Sequence, residues 1–278
     1  MEYLMTYGWA ILIIAVVLGA LFSLGVFNGA NFAPKAPPGA CQVFRPNGPG
    51  STSFINLEGV CSGELPQFAE TTNTLRTMTT FNILSSQPPT SSGTLTFWLN
   101  PINPGSTNPA VFRLNLSNNF NLYGYMPGYY GSPTDLTVAV MNSINQNIGQ
   151  NEFTIGNNVW VQVSLNFSGT AVLVYVNGIN SGGISLSQSM GSFYFTKLAV
   201  GGFNGQLANE QLYNTSLSGP EVNALYLEGI GGAPIDLQNL VGWWPLNGNA
   251  NDYSGNMNNG APNNVVYTGS WESGYTAP

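Results

Sequence analysis

Hydrophobic and polar positions divide the chain into three parts. The first part contains an uncharged run from Gly8 to Phe27, in which apolar side chains would occupy every face of a helix. At about 1.5 Å per residue, such a helix is roughly 30 Å long, which is the thickness of a bilayer core. Residues 28–40 are rich in proline and glycine, and residues 41–278 carry short apolar runs. The pattern therefore predicts a long N-terminal hydrophobic α-helix over 1–27, a semi-rigid linker and a separate head.

The head has the pattern of a mainly β domain. Short runs rich in β-branched and aromatic residues are separated by clusters of Gly, Pro, Asn and Ser at hairpin spacing, which predicts an antiparallel β-sandwich. These runs are residues 94–100, 110–116, 136–142, 159–167 and 171–178. One segment, 216–229, predicts a helix instead, because Ser218 precedes Pro220 at its start and Gly229 marks its end.

Three interpretations compete for the N-terminal apolar run. A secretory signal peptide needs a basic segment in front of its apolar core, and residues 1–7 contain no lysine or arginine. A permanent membrane anchor is the second interpretation, although Lys35 is the only positive charge before Arg45 that would set its orientation. The third is a filament helix that leaves the membrane and packs against sister helices. Ala15 and Gly19 are small residues that would permit close approach in either of the last two settings.

The sequence MEYLMTYGWAILIIAVVLGALFSLGVF resembles the N-terminal helix of archaeal type IV pilin-like proteins. Members of that family usually carry a short leader that a prepilin-type peptidase removes. No such leader stands here, so the sequence resembles a mature or shortened form. The resemblance implies that this segment polymerises in a filament core, with Glu2, Trp9, Ala15 and Gly19 at packing positions. Glu2 either pairs with the N-terminal ammonium of a neighbouring subunit or stabilises the start of its own helix through the macrodipole.

The composition of the chain is polar without being highly charged. The chain has five lysines and arginines, twelve acids and no histidine, which gives a formal net charge of −7. Scattered cations cannot neutralise a phosphate backbone, which argues against nucleic acid as a partner. The chain also lacks a Glu-x-Asp-x-Glu run of the paired carboxylates that glycosidases use. The sequence therefore predicts no catalytic residues and no enzymatic activity, and its weakly charged surface is typical of extracellular proteins.

Two kinds of covalent modification would fit an extracellular setting. Sequons at Asn115, Asn166 and Asn214 are candidate glycan acceptors, although a chain this rich in Asn, Ser and Thr holds a few sequons by chance. Cys41 and Cys61 either form a disulfide, which would constrain the unfolded loop by about 3 kcal/mol, or are two buried thiols. Two cysteines without any histidine cannot complete a tetrahedral metal site, so no metal ligands are predicted.

A second resemblance covers most of the head. Three runs resemble successive pieces of a laminin G-like, concanavalin A-like jellyroll: GTLTFWLNP (93–101), NNVWVQVSLNFSGTAVLVYVNG (157–178) and VGGFNGQLANEQLYNTSLSGPEVNALY (200–226). Residues 241–262 resemble the first strand of that family, yet they stand near the C-terminus. Since the first and last strands of such a jellyroll lie side by side, the resemblance implies a circularly permuted jellyroll. The displaced strand 241–247 either closes its own sandwich or is exchanged into a neighbouring subunit. Trp243 and Trp244 should face opposite sides of its sheet.

Jellyrolls of this kind often bind glycans or proteins, and some hold Ca²⁺ at one rim, so calcium is the one cofactor left open. Asn249, Asn251 and Asp252 either supply oxygen ligands to such an ion or make Asx turns in a turn-rich loop. The aromatic-rich segment 121–132 is either a platform on which sugars stack, an exposed loop or a filament contact.

These patterns together predict a structural subunit of an extracellular, cell-surface filament of the type IV pilus kind. Its expected partners are identical subunits, the membrane before assembly, and surface glycans that the head would bind. The alternative is a membrane-anchored, lectin-like surface protein that does not polymerise. A glycoside-active enzyme is a third interpretation.

Overall fold

A computed structural model describes residues 13–18, 42–45, 53–56, 68–71, 78–84, 87–102, 108–127 and 134–268. The chain divides into two compact units. One contains Met1–Gln42 and Asn56–Cys61, and the other contains Val43–Ile55 and Ser62–Pro278. The second unit holds the sheets described below.

The two helices of the described residues are both short. Residues 13–18 form the first, α1, and Gly219–Leu227 form the second, α2. The long apolar helix predicted over 1–27 is therefore wrong, because no helix in the described part of the chain is both long and apolar enough to cross a membrane. Uniform apolarity indicates that a segment needs burial, but without a 3.6-residue period it does not fix the length of a helix. The predicted β-sandwich is confirmed.

The strands of the described residues run through the head in short, closely spaced segments. In chain order they are β1 Gln42–Arg45, β2 Ser53–Asn56, β3 Phe68–Thr71, β4 Met78–Asn82, β5 Ser92–Pro101, β6 Ala110–Leu116, β7 Asn121–Tyr125, β8 Asp135–Met141, β9 Asn147–Thr154, β10 Val161–Ser168, β11 Ala171–Val176, β12 Ile179–Ser185, β13 Phe195–Gly201, β14 Gly205–Tyr213, β15 Leu240–Trp244, β16 Gly260–Asn263 and β17 Val266–Thr268. Each of the five runs predicted as strands coincides with one of these, to within two residues at either end.

These strands form two large antiparallel sheets and one small one. The eight-stranded sheet has the order β12-β11-β10-β5-β14-β3-β17, and β15 pairs with β14 beside this path. The seven-stranded sheet has the order β16-β4-β13-β6-β7-β8-β9, and β1 pairs with β2 in a separate ribbon. In the seven-stranded sheet, β6, β7, β8 and β9 follow one another along the chain, whereas β16, β4 and β13 come from distant parts of the sequence. The sheet therefore combines hairpins with long-range pairing.

The main hydrophobic core lies between the two large sheets. Along β5, Leu95, Phe97 and Leu99 alternate with outward residues and enter this core. Phe97 meets Phe112 of β6, from the opposite sheet, with ring centroids 5.6 Å apart. Large side chains from both sheets thus interdigitate, which is the packing expected of an antiparallel sandwich.

Helix α2 covers part of the outer face of the eight-stranded sheet. Its Val222 and Leu225 are buried in a second cluster with Tyr213 of β14 and Trp243 of β15. The helix begins where the sequence predicted, because the Ser218 backbone N–H donates a 2.7 Å hydrogen bond to the Glu221 carboxylate. This cover explains why the central strands of the eight-stranded sheet are buried on both faces.

Strand β15, which belongs to the segment 241–247 that the sequence resemblance implied to be displaced, pairs within its own head. It pairs antiparallel with β14, with Trp244 opposite Glu210 and Trp243 opposite Gln211. Trp244 enters the core between the sheets, whereas Trp243 enters the cluster under α2, so the prediction that the two indoles face opposite sides is confirmed.

Gly242 makes room for the Trp244 ring. A Cβ atom at position 242 would lie 2.2 Å from Trp244 Cη2, a distance that real Cβ contacts do not reach. The indole of Trp244 therefore lies over the glycine and packs against Phe81 in a tilted arrangement, with ring centroids 4.3 Å apart. Its Nε1 donates a 2.8 Å hydrogen bond to the backbone carbonyl of Asn258, so its polar atom is satisfied in the core.

Candidate functional site

The outer face of the seven-stranded sheet carries a polar groove. The groove has a volume of about 330 Å³ and is lined by residues of β6, β7 and β13 and of the β6–β7 and β8–β9 turns. The lining residues are Arg113, Asn115, Leu116, Ser117, Asn119, Asn121, Ser143, Asn145 and Thr196. No acidic side chain is among these lining residues. The site therefore offers amides, hydroxyls and one cation, which are hydrogen-bonding groups rather than proton-transfer groups.

Strand register brings these side chains together. Arg113 and Asn115 of β6 lie opposite Tyr123 and Asn121 of β7, and all four point away from the core. On the other side of β6, a bulge in β13 places both Thr196 and its neighbour opposite Asn115. The Thr196 hydroxyl donates a 3.1 Å hydrogen bond to the Asn115 carbonyl and so fixes this edge of the groove.

Arg113 and Tyr123 form a cation–π pair at one end of this face. The guanidinium carbon of Arg113 lies 4.8 Å from the centroid of the Tyr123 ring. Arg113 is exposed and Tyr123 is half-buried, so the ring orients the guanidinium while its hydrogen-bond donors stay available to solvent. The Tyr123 ring can contact the apolar face of a ligand, and the guanidinium N–H groups of Arg113 can donate hydrogen bonds to its polar edges.

Asn115 has an unsatisfied polar atom at the groove. Its side chain is half-buried, and its Oδ1 is buried without a hydrogen-bond partner. Buried polar atoms are rarely left unpaired, because such an acceptor costs roughly 1–3 kcal/mol. An acceptor of this kind on the wall of a groove is a group that a donor on a ligand would satisfy.

Two asparagine-rich turns form the end walls of the groove. In the β6–β7 turn, Asn121 Nδ2 donates a 3.1 Å hydrogen bond to the carbonyl of Asn119, which has a positive φ of 65°. In the β8–β9 turn, Asn142 Oδ1 accepts hydrogen bonds from the backbone N–H groups of Ile144 and Gln146, at 3.1 and 2.9 Å. Asparagine suits both turns because its short side chain bonds to nearby backbone and tolerates the left-handed conformation.

The aromatic-rich segment 121–132 belongs partly to this site. Residues 121–125 form strand β7 rather than a loop, and Met126 is buried in the core. Tyr123 lies on the groove face, as a sugar-stacking platform would require. Residues 128–132 lie outside the described residues.

The loop after β15 is built around Asp252, whose two carboxylate oxygens accept hydrogen bonds from the backbone. Asp252 Oδ1 accepts hydrogen bonds from the backbone N–H groups of Trp243 and Ser254, at 3.0 and 2.8 Å, and its Oδ2 accepts one from Asn258 at 2.9 Å. Asn249 Oδ1 accepts the backbone N–H of Asn251 at 2.8 Å. These side chains are engaged in the Asx-type turns that the sequence left as an alternative. In the described part of the chain, no group of three or more metal-binding His, Cys, Asp or Glu residues is found.

The three sequons occupy different environments. Asn115 lies in the groove and Asn214 is half-buried, with its Nδ2 donating to Gln87 Oε1 at 3.3 Å. Asn166 is 3% exposed; its Oδ1 accepts from the Thr94 hydroxyl and its Nδ2 donates to the Leu217 carbonyl. A glycan on Asn166 is incompatible with this packing, so Asn166 is removed from the candidate acceptors.

Most of the other predicted site residues lie outside the described residues. These are Glu2, Trp9, Gly19, Cys41 and Cys61. Ala15 belongs to α1, where the large apolar neighbours Ile14 and Val16 are 57% and 63% exposed. The roles predicted for these residues stay predictions.

Burial shifts the pKa values of three groups inside the head. It raises the pKa of the Glu210 carboxyl and of the Tyr213 hydroxyl well above their usual ranges. Burial, and secondarily the nearby Glu210 carboxylate, raise the pKa of the Tyr267 hydroxyl to about 12. None of these three residues lines the groove. Binding through hydrogen bonds and ring contacts is therefore the chemistry that this groove supports.

The fold and groove place the protein among the lectin-like jellyroll sandwiches. A family model described as the concanavalin A-like lectin/glucanases superfamily matches residues 76–223, which is more than half of the chain. The protein belongs to this superfamily. The match stops before β15, so it does not test whether the jellyroll is circularly permuted. No curated protein is significantly similar to the sequence.

Two solved structures share this fold. A heptameric SAP-like pentraxin from Limulus polyphemus superimposes with a TM-score of 0.53 at 14% identity, over 76% of this chain and 98% of the pentraxin chain. A candidate carbohydrate-binding protein from Bacteroides ovatus gives the same TM-score and identity, over 78% of this chain. This chain covers 63% of the length of the Bacteroides protein. At such low identity, both likenesses show the fold alone.

Proposed function

We propose that this protein displays a glycan-binding jellyroll on the outside of the cell, as a subunit of a filament of the type IV pilus kind. The observation that carries the binding role is the polar groove on the seven-stranded sheet, where Asn115 presents an unsatisfied acceptor. The N-terminal sequence carries the filament role.

The groove has the composition expected of a sugar site. Its amides and hydroxyls match the many hydroxyl groups of a saccharide, and Tyr123 beside Arg113 supplies an aromatic ring on the same face. Membership of the lectin/glucanases superfamily supports a sugar ligand, and one structure of similar fold is a candidate carbohydrate-binding protein. Free glycans or the glycans of another surface are the partners that such a head would recognise.

The first prediction concerns Asn115. Replacement of Asn115 by leucine removes the amide that a bound sugar would contact, while the β6 backbone keeps its pairing. We expect binding to weaken about tenfold or more, since one hydrogen bond to an otherwise unsatisfied buried group is worth roughly 1–3 kcal/mol. The measurement is binding of the full-length chain in mild detergent to an array of neutral and acidic oligosaccharides, followed by calorimetry on the oligosaccharides retained.

Asn263 provides a matched control. It is an exposed asparagine on β16, at the far edge of the same sheet, and Asn263→Leu should leave binding unchanged. Equal binding by the wild-type chain and the Asn115→Leu variant would overturn the assignment of the groove. Mass spectrometry of native material would show whether Asn115 itself carries a glycan, and occupancy there would also overturn it, because that glycan would fill the groove.

The filament role rests on the N-terminal sequence and on the exposure of α1. Residues 1–27 resemble the polymerising segment of archaeal type IV pilin-like proteins, and the apolar side chains of residues 13–18 need a partner that removes them from water. Identical subunits are the proposed partner in the filament, and lipid is the proposed partner before assembly. In this extracellular setting, Cys41 and Cys61 would be joined as a disulfide.

The second prediction tests polymerisation. Ala15→Arg places a charge in the apolar segment, and we expect it to abolish filaments on the producing cells while the head stays folded, because a buried unpaired charge is strongly destabilising. Ala224→Arg is the matched control, since Ala224 is an exposed alanine on helix α2 of the head. Electron microscopy of sheared cell-surface material measures the outcome. Normal filament yield from the Ala15→Arg chain would contradict the role. Wild-type protein found only in membranes, without filaments, would favour the anchored alternative.

A further inference from the structure

We infer that the groove selects an anionic sugar, in which a carboxylate or sulfate group is held between Arg113 and Lys197. This inference rests on the proposed glycan-binding function and adds the chemical class of the ligand. Because the chain contains few lysines and arginines, the position of these two next to the groove indicates the charge of the ligand.

The chain has five lysines and arginines in 278 residues. Among the residues whose side chains the structure describes, Arg113 and Lys197 are the two cations, and both lie on the outer face of the seven-stranded sheet. Lys197 of β13 is opposite Asn115, and Arg113 stands two residues before Asn115 on β6. The two positive charges thus flank Asn115, the residue with the unsatisfied acceptor.

No acid among the described residues neutralises either cation. The ring of Tyr123 is the partner of the Arg113 guanidinium, and within the described residues neither Arg113 nor Lys197 forms an ion pair. Both side chains are exposed, and the lining of the groove contains no acid. In a chain with a net charge of −7, Arg113 in the lining of the groove and Lys197 beside it make a local site for a negative group.

The described acids of this face lie at its other end. Asp135 of β8 and Glu152 of β9 are held there by threonines. The Thr154 hydroxyl donates to Asp135 at 2.9 Å, and the Thr137 hydroxyl donates to Glu152 at 3.5 Å. The face is therefore polarised, with its cations beside the groove and its acids two strands or more away from β6. A saccharide with one charged unit would be oriented by this arrangement.

The surroundings favour a short anionic unit over a long polyanion. Exposed charges are screened over about 10 Å at 0.1 M salt, so the two cations act only on a group placed between them. A nucleic acid or another highly charged chain would also meet the net negative charge of the protein. Amides and hydroxyls fill the rest of the groove, which suits neutral sugar hydroxyls next to the anionic unit.

Calorimetry with matched oligosaccharides tests the inference. The probes for the full-length chain in mild detergent are an oligogalacturonate, its carboxyl-reduced neutral counterpart, and a sulfated form of that neutral counterpart. We expect at least one anionic probe to bind about tenfold or more tightly than the neutral one, since charge-assisted hydrogen bonds are about twice as strong as neutral ones. The comparison of uronate with sulfate identifies which anionic group the site takes.

Charge-removing variants complete the test. Arg113→Gln and Lys197→Gln should each erase most of the preference for the anionic probe, and Glu152→Gln, which changes a charge at the far end of the same face, should leave it intact. Equal binding of neutral and anionic probes that is still lost in Asn115→Leu would overturn the inference and leave the proposed function standing. Binding of no probe, or binding that none of the groove variants affects, would overturn both.

Discussion

Replacement of Trp244 by alanine should lower the free energy of unfolding of the head by about 3–5 kcal/mol, the range for removal of a buried tryptophan. Trp244 is fully buried in the core between the sheets, packs against Phe81 and donates a hydrogen bond to the Asn258 carbonyl. Its loss would leave a cavity, an unsatisfied carbonyl and a poorly packed β15. Urea unfolding of the full-length chain in mild detergent, followed by circular dichroism, gives the measurement.

Two further variants serve as controls for the Trp244→Ala measurement. Met257→Ala changes a 73% exposed side chain in the loop that follows β15, and should alter stability by no more than about 0.5 kcal/mol. Trp244→Phe keeps an aromatic ring over Gly242 and should cost less than alanine. A loss below about 1 kcal/mol for Trp244→Ala would mean that β15 does not close the sandwich, contrary to the pairing with β14.

The strands that the sequence predicts well are those whose side chains alternate beside a buried face. In β6, for example, Leu114 and Leu116 enter the core, whereas Arg113 and Asn115 do not, and the period of two is visible in the sequence. Helix α2 was also predictable, because Ser218, Pro220 and Gly229 mark its ends independently of packing. Edge strands such as β9 and β12 are mostly polar, so their pairing partners, rather than their own pattern, make them strands.

The candidate groove was less predictable, because it depends on which strands become neighbours. In the sequence, Asn115 is recognisable only as the asparagine of a sequon. The pairing of its strand, β6, with β7 and β13 places it beside Asn121 and Thr196. Arg113 and Lys197 are 84 positions apart and come together through the same pairing. The prediction of a long N-terminal helix was wrong for a different reason. An apolar run without a 3.6-residue period indicates that the segment is buried, but it does not determine where a helix begins and ends.

Glu210 is a buried carboxyl that the sequence pattern did not single out. Asn209, just before it, has a positive φ of 49°, and the register of β14 against β5 shifts between Ala208 and Gln211. This bulge re-aims the strand, so that Glu210 lies on the same side as Leu212, a core residue. Glu210 is 0% exposed, and neither of its carboxyl oxygens has a hydrogen-bond partner.

Burial without a partner raises the pKa of Glu210 well above its usual range, because removal from water disfavours the charged form of the carboxyl. In the unfolded chain the same carboxyl releases its proton above about pH 4.3. Between the unfolded and folded pKa values the folded state binds more protons, and the contribution of Glu210 to stability therefore falls as the pH rises. That contribution is fully present below about pH 4.3 and falls by about 1.4 kcal/mol per pH unit above it, until the folded pKa is reached.

Glu210→Gln should remove this dependence on pH and make the head more stable than wild type at pH 7. The amide has the shape of the neutral carboxyl but cannot ionise, so its free energy of unfolding should follow a flatter curve from pH 4 to pH 8. Glu210→Met, which also removes the polar atoms, should stabilise the neutral-pH state in the same direction, because burying a methionine leaves no unsatisfied oxygen. Glu152→Gln is the control, since Glu152 is exposed and its replacement should leave the wild-type slope in place. Urea unfolding at closely spaced pH values measures all four chains. Parallel curves for wild type and Glu210→Gln would show that the carboxyl ionises freely in the folded head and that water or another group reaches it there.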